Sequence, residues 1–191
     1  TLPLRVSINA LYDRVSKSDE INYNYAGLLH STSGDYLKDN GYTDFEKSSN
    51  LSRQLSQKLT FSTIDQIFKF PFKYKGYEKE YATLAYSKVV IDEIQAYSPE
   101  IAATLIKGIE MIHKIGGKFM IMTATMPTLY LEEMKRRGIL DETTVMGEFI
   151  SDGERHNIKV LDESLYDKNN IEKIIEKIKN KKVLIILNTV A

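Results

Sequence analysis

Apolar and polar positions along the 191-residue chain follow two periods, and each change of period marks an element. Val89-Val90-Ile91 after Lys88, and Phe119-Met120-Ile121-Met122 after Lys118, are short uninterrupted apolar runs. They predict strands buried on both faces, as in a parallel sheet. Residues 182–187 predict another of the same kind, and residues 26–30, 58–62 and 157–161 shorter ones. Elsewhere the apolar residues recur every three or four positions. Leu4, Ile8, Leu11 and Val15 predict a helix that follows a strand end, with Pro3 in its first turn. Ile101, Leu105, Ile109, Ile112 and Ile115 predict a second helix, capped by Ser98 and opened by Pro99. Ile171, Ile174, Ile175 and Ile178 mark a third over residues 169–180. Shorter helices are expected after Thr63, over residues 78–85 and over residues 128–137. Gly116-Gly117 and Gly138 read as helix ends. Residues 18–52 are polar and carry few signals beyond the short strand.

Strands that alternate with helices predict the α/β class. Residues 1–140 form most of one domain. Residues 141–155 lose the helical period and read as a linker. Residues 156–191 read as the opening of a second domain. The first residue is Thr1, which predicts a piece of a longer chain or a processed one.

Composition narrows the chemistry. Lys plus Arg number 26 and Asp plus Glu 26, so any nucleic-acid surface must be a local patch. The chain has no cysteine, which excludes disulfides and thiolate metal sites and fits an intracellular protein. No apolar run is long enough to span a bilayer as a helix.

Candidate chemistry gathers at strand ends. Asp92 and Glu93 follow an apolar strand at its carboxyl end, where open α/β sheets place their sites. Asp92 is a candidate magnesium ligand, usually through water, and Glu93 a candidate to polarise a water attacking a nucleotide phosphate. The other reading of this pair is a solvated acidic turn. Thr123-Ala124-Thr125 brings two hydroxyls to the end of the next strand, where they can bond back to neighbouring carboxylates or simply make a turn. Thr63 either caps its helix or faces a phosphate. Arg5, on its segment alone, reads as a surface arginine. Residues 70–86 interleave rings and lysines. Such runs can bind a nucleic-acid strand, but more often the rings pack inward while the lysines reach solvent. His30, His113 and His156 stand apart and read as structural or solvated. Gly117-Lys118 is no phosphate loop, since Phe119 follows the lysine and Ile112 stands at the first glycine position.

Five short motifs nevertheless stand in a telling order: Pro3-Leu4-Arg5, Ser62-Thr63-Ile64-Asp65-Gln66, Asp92-Glu93-Ile94-Gln95, Thr123-Ala124-Thr125-Met126-Pro127 and Asn188-Thr189-Val190. Together they resemble superfamily 2 helicases, and most closely the CRISPR-associated helicase–nucleases of type I interference systems. The resemblance implies a RecA-like parallel sheet flanked by helices, incomplete here, with the start of a second RecA-like domain. It implies ATP and magnesium as cofactors, with Asp92 and Glu93 catalytic. Gln95, Thr123, Ala124 and Thr125 would couple nucleotide state to domain closure. Pro3, Arg5, Thr63 and Gln66 would lie along the backbone of a single strand, positioning it without reading it. The implied partners are single-stranded DNA or RNA, a CRISPR RNA-guided surveillance complex and the rest of a parent chain, in the cytoplasm. The chain departs from the family in lacking any Gly-x-x-x-x-Gly-Lys-Ser/Thr run, so it is expected not to hydrolyse ATP efficiently alone. The alternatives are an RNA helicase of the same superfamily, a non-catalytic nucleic-acid-binding module and, less favoured, a metal-dependent nuclease centred on Asp92 and Glu93.

Overall fold

The structure is a computed structural model that describes residues 1–17, 25–149 and 167–179, with Lys182 and Leu184. The expected strand at 157–161, most of that at 182–187, His156 and the Asn188-Thr189-Val190 motif lie outside the described residues. The chain divides into two compact units, Thr1–Val145 and Met146–Ala191.

The first unit is α/β. Helix α1 (Arg5–Lys17) leads to β1 (Ala26–Leu29), then α2 (Ser33–Asp39), α3 (Phe45–Arg53) and β2 (Leu59–Ser62). A single turn, α4 (Ile64–Ile67), precedes a 3-10 turn at Phe70–Phe72 and helix α5 (Tyr77–Tyr86). Strand β3 (Lys88–Asp92), helix α6 (Pro99–Lys114), strand β4 (Lys118–Met122) and helix α7 (Thr128–Arg136) complete it. The expected strands therefore form, and they pair in parallel: β1 with β2, and β3 with β4 in a register that sets Ile91 beside Ile121.

The two strand pairs are joined by the first two residues. Thr1 donates its N–H to Val90 O and accepts from Asp92 N at 2.9 Å, so it straddles Ile91 as a parallel neighbour would. Leu2 N donates to Ser62 O at 3.1 Å on the other side. The strand end expected before α1 thus lies between β2 and β3.

Four expectations shift. Pro3 precedes the helix, which begins at Arg5. The buried face of α1 is Ile8 and Tyr12, helped by Val15, while Leu4 and Leu11 are exposed. On α6 the buried row is Ala102, Leu105, Ile106, Ile109 and Ile112, and Ile101 in the first turn faces out. The β3–β4 pair is also covered on one face only. Val89 and Ile91 are buried, and Phe119 and Ile121 pack with them in the same core as Leu105 and Ile109. On the opposite face Val90 is 38% exposed, Met120 50% and Met122 43%. Among the described residues of this unit no helix covers that face.

Gly116 ends α6 as expected. It takes the left-handed φ of +85°, Gly117 N donates to Ile112 O at 3.0 Å and Gly116 N to His113 O at 3.0 Å, the paired bonds of a Schellman end. A second core, around Ile8, Tyr12, Leu28 and Leu37, lies under β1. Its rim is tied by Tyr36 and Tyr42, whose hydroxyls donate to Asp13 at 2.8 and 2.9 Å.

In the second unit the described element is α8 (Lys168–Ile178), as its apolar period predicts. Ile171, Ile175 and Ile178 form a half-exposed stripe. Among the described residues no helix is long and apolar enough to cross a membrane.

Candidate functional site

Strand β3 delivers Asp92 and Glu93 at its carboxyl end, both half-buried. The pairing with β4 continues one residue further, because Glu93 N donates to Met122 O at 2.9 Å. Glu93 then turns the chain with φ +55° and ψ +50°, a left-handed conformation that is uncommon away from glycine. Ile94, fully buried, anchors the 3-10 turn Ile94–Ala96 that follows. A strand bonded to its neighbour on one side of Glu93 and a buried isoleucine on the other hold the carboxylate in this bend.

The bend has a chemical consequence. Gln95 Nε2 donates to Glu93 Oε2, and Gln95 Oε1 accepts from the Thr123 hydroxyl at the end of β4. Thr125 N donates to Thr123 Oγ1 at 3.3 Å, and Thr125 O lies 2.8 Å from the same hydroxyl. The hydroxyl has one hydrogen and two acceptors, so Gln95 and the Thr125 carbonyl compete for it. Glu93, Gln95, Thr123 and Thr125 therefore form one hydrogen-bonded chain across two strand ends. Ala124 is exposed at its outer side and contributes no polar group.

The residues placed by resemblance along a strand gather elsewhere in the unit, at the carboxyl ends of β1 and β2. Arg5 opens α1 and is exposed. Gln66 Nε2 donates to Asp65 at 2.7 Å on α4. Thr63 is the N-cap of α4, but its side chain is buried and makes no capping bond. Its hydroxyl has no hydrogen-bond partner among the described residues. Burial pushes the Asp65 carboxyl up, but the nearby Thr63 side chain, the Gln66 hydrogen bond, its own N–H and the Arg5 charge hold it below its ordinary value. Pro3, half-buried, sets the approach to Arg5.

His30 closes this group. Thr32 N donates to its Nδ1 at 3.3 Å, so Nε2 carries the hydrogen and donates to Asn9 Oδ1 at 2.8 Å. Burial and the Arg5 charge lower its pKa, against a smaller upward pull from Asp65. The structural reading of His30 thus fits its burial and bonds. Asn9 and Asp65 are the partners that sequence reasoning did not single out. Both were within reach: Asn9 lies four residues after Arg5 and so on the same helical face, and Asp65 sits inside the Thr-Ile-Asp-Gln motif.

Asp92 and Glu93 suit the metal-and-water side of a nucleotide site, since one carboxylate can hold magnesium through water while phosphates supply other ligands. Among the described residues no group of three His, Cys, Asp or Glu could hold a metal by itself. No stretch of the chain matches a phosphate-cradling loop.

No protein-family model and no solved structure matches the chain. Among curated proteins it is similar to the CRISPR-associated nuclease/helicase Cas3 of Methanothermobacter thermautotrophicus, 29% identical over 206 residues. That match covers 100% of this chain and 25% of the relative, so the chain spans about a quarter of the length of the curated protein it matches. Along its whole length, then, the chain is similar to a Cas3 nuclease/helicase, in line with the resemblance carried by the order of its motifs.

Proposed function

We propose that the chain supplies part of an ATP-driven motor that moves along single-stranded DNA in CRISPR interference. The observation that carries this reading is the hydrogen-bonded chain from Glu93 through Gln95 to Thr123 and Thr125. A carboxylate that acts on water is there bonded to a residue whose other end reaches the next strand. A change at Glu93 that moved Gln95 would leave the Thr123 hydroxyl to the Thr125 carbonyl. That is a physical route from hydrolysis to the movement of whatever follows β4. In this reading Asp92 would hold magnesium through water, an ion that would supply positive charge beside the phosphates. Glu93 orients the attacking water. Arg5 and Gln66 contact the strand backbone, while Pro3 and the buried Thr63 position them.

The chain is expected to be deficient in ATP hydrolysis alone, because no phosphate loop accompanies these residues. Further polypeptide would complete the sheet. Support comes from β4, whose Met120 and Met122 stand half-exposed on a face that doubly wound sheets cover with helices. Through that larger protein the motor would work beside an RNA-guided surveillance complex.

The test is strand-stimulated ATP hydrolysis, comparing this chain with a form extended at both ends, in wild-type and Glu93→Gln versions. Turnover in the extended form alone, abolished by Glu93→Gln, is the expected outcome. Robust Glu93-dependent turnover by the 191-residue chain would refute the deficiency. Strand binding without turnover in either form would favour a non-catalytic binding module. Stimulation by RNA and not DNA would favour an RNA helicase.

A further inference from the structure

The turn between α4 and α5 departs from the inward packing that its composition predicts. Phe70 does pack inward: it is fully buried, 5.7 Å from Phe68 and stacked at 5.5 Å on Tyr81. Tyr81 in turn donates its hydroxyl to Met111 O at 2.9 Å. Phe72, two residues on, is 72% exposed. Pro71 and the bonds Phe72 N to Lys69 O and Lys73 N to Phe70 O, both 3.0 Å, make the 3-10 turn that points the two phenylalanines apart.

The residues around Phe72 are unusual for an idle surface. Lys73 has φ +50° and ψ +42°, a left-handed conformation that costs a non-glycine residue roughly 1 kcal/mol. Gly76, with φ +91°, bends the chain back into α5. Between residues 69 and 77 there are three lysines and no acid. Lys69 is engaged, 3.9 Å from Glu80 and 5.9 Å from the Tyr74 ring. Lys73 and Lys75 have no ion-pair partner among the described residues and are exposed. An exposed ring followed by two unpaired cations suits a ligand that offers flat apolar faces and regularly spaced negative charge. A nucleic-acid strand with free bases is such a ligand.

We propose that the turn at residues 72–75 is a second contact for a single nucleic-acid strand, with a base stacked on Phe72 and the adjoining phosphates met by Lys73 and Lys75. The proposal rests on the strand-binding reading of Arg5 and Gln66 and extends it. Phe72 is six residues from Gln66, a separation of at most about 22 Å even for a fully extended chain. One strand can therefore touch both places. Stacking tolerates any base, so the contact adds grip without sequence preference.

The chain contains no tryptophan, so Phe72→Trp creates a unique fluorophore at the proposed stacking position. Titration with oligo-dU and with oligo-U at low salt should quench its emission, and the stronger of the two identifies the sugar preferred. Phe72→Ala should weaken binding roughly 5- to 150-fold, the range for losing one stacked base, with an unchanged melting temperature because the ring is exposed. Lys73→Ala with Lys75→Ala should flatten the salt dependence by about 1.4 in log–log slope, for two lost phosphate contacts. If Arg5→Ala and Gln66→Ala weaken binding while Phe72→Trp emission stays constant at saturating strand, the second contact fails and the strand reading stands. If the chain binds neither oligonucleotide, both fail. If the emission instead shifts with protein concentration alone, the ring serves a protein contact and the proposal is overturned.

Discussion

Glu93 carries two burdens at one position, a carboxylate at the head of a hydrogen-bonded chain and a left-handed backbone. The two can be separated. Glu93→Ala keeps the Cβ and the strain, whereas Glu93→Gly removes both. Glu93→Gly should be more stable than Glu93→Ala by about 1 kcal/mol in urea unfolding, although both lose the carboxylate. Equal stabilities would show that the bend is not strained. His30 offers a second test at this scale. Its neutral ring accepts from Thr32 N, a bond that a protonated ring cannot make. Its folded pKa lies below the ordinary 6.5, so the unfolded chain binds the proton more readily. The stabilisation from His30 is therefore complete above pH 6.5 and is lost as pH falls from there through the folded value. His30→Gln, which can still donate and accept, should keep much of the stability but lose this dependence. Urea midpoints at pH 7.5 and 5.5 measure it, and a wild-type chain with no decline beyond that of the variant would count against the assignment.

Between elements, α6 and α7 are held together by charge where their apolar rows end. Glu110 on α6 is buried and accepts from Lys114 and from Lys107, the latter at 3.0 Å, and from Arg137 just past α7 at 2.9 Å. Arg137 Nε also meets Glu133, at 2.6 Å. The hydrogen bonds from Lys114, Lys107 and Arg137 hold the Glu110 carboxyl at about 2. Glu110→Ala leaves three cations without this partner. The expected loss is about 1–2 kcal/mol, below the range for a fully buried pair because the lysines are about half-exposed. The sign with pH follows from the depressed value. The contribution is present above the ordinary 4.5 and is lost as pH falls from there toward about 2. Stability curves of wild type and Glu110→Ala should therefore converge at acid pH, and parallel curves would place the effect in packing.

At the scale of the whole molecule, the β3–β4 pair is covered on one face and bare on the other. The apolar bare face is where the proposed larger motor would add polypeptide. Met120→Lys should leave the melting temperature of this chain nearly unchanged, since the side chain is already half in water. In a form extended at both ends the same substitution should lower it by several degrees, as expected if added polypeptide buries Met120. No difference between the two forms would mean that the face stays open.

Much of this was written in the order of residues alone. The apolar runs of β3 and β4, the glycine end of α6 and the period of α8 depend on local geometry, which a single stretch of sequence determines. The motif order likewise placed the carboxylates and hydroxyls at strand ends, because a strand followed by a turn puts its chemistry there whatever surrounds it. Other features depended on partners distant in sequence, so only the tertiary structure decided them. The face of α1 that is buried follows from where β1 lies, so Tyr12 rather than Leu4 enters the core. The link from Gln95 to Thr123 needs two strands brought side by side in register. Phe70 and Phe72 are alike in sequence and opposite in fate, because one 3-10 turn directs the first ring onto Tyr81 and the second into solvent.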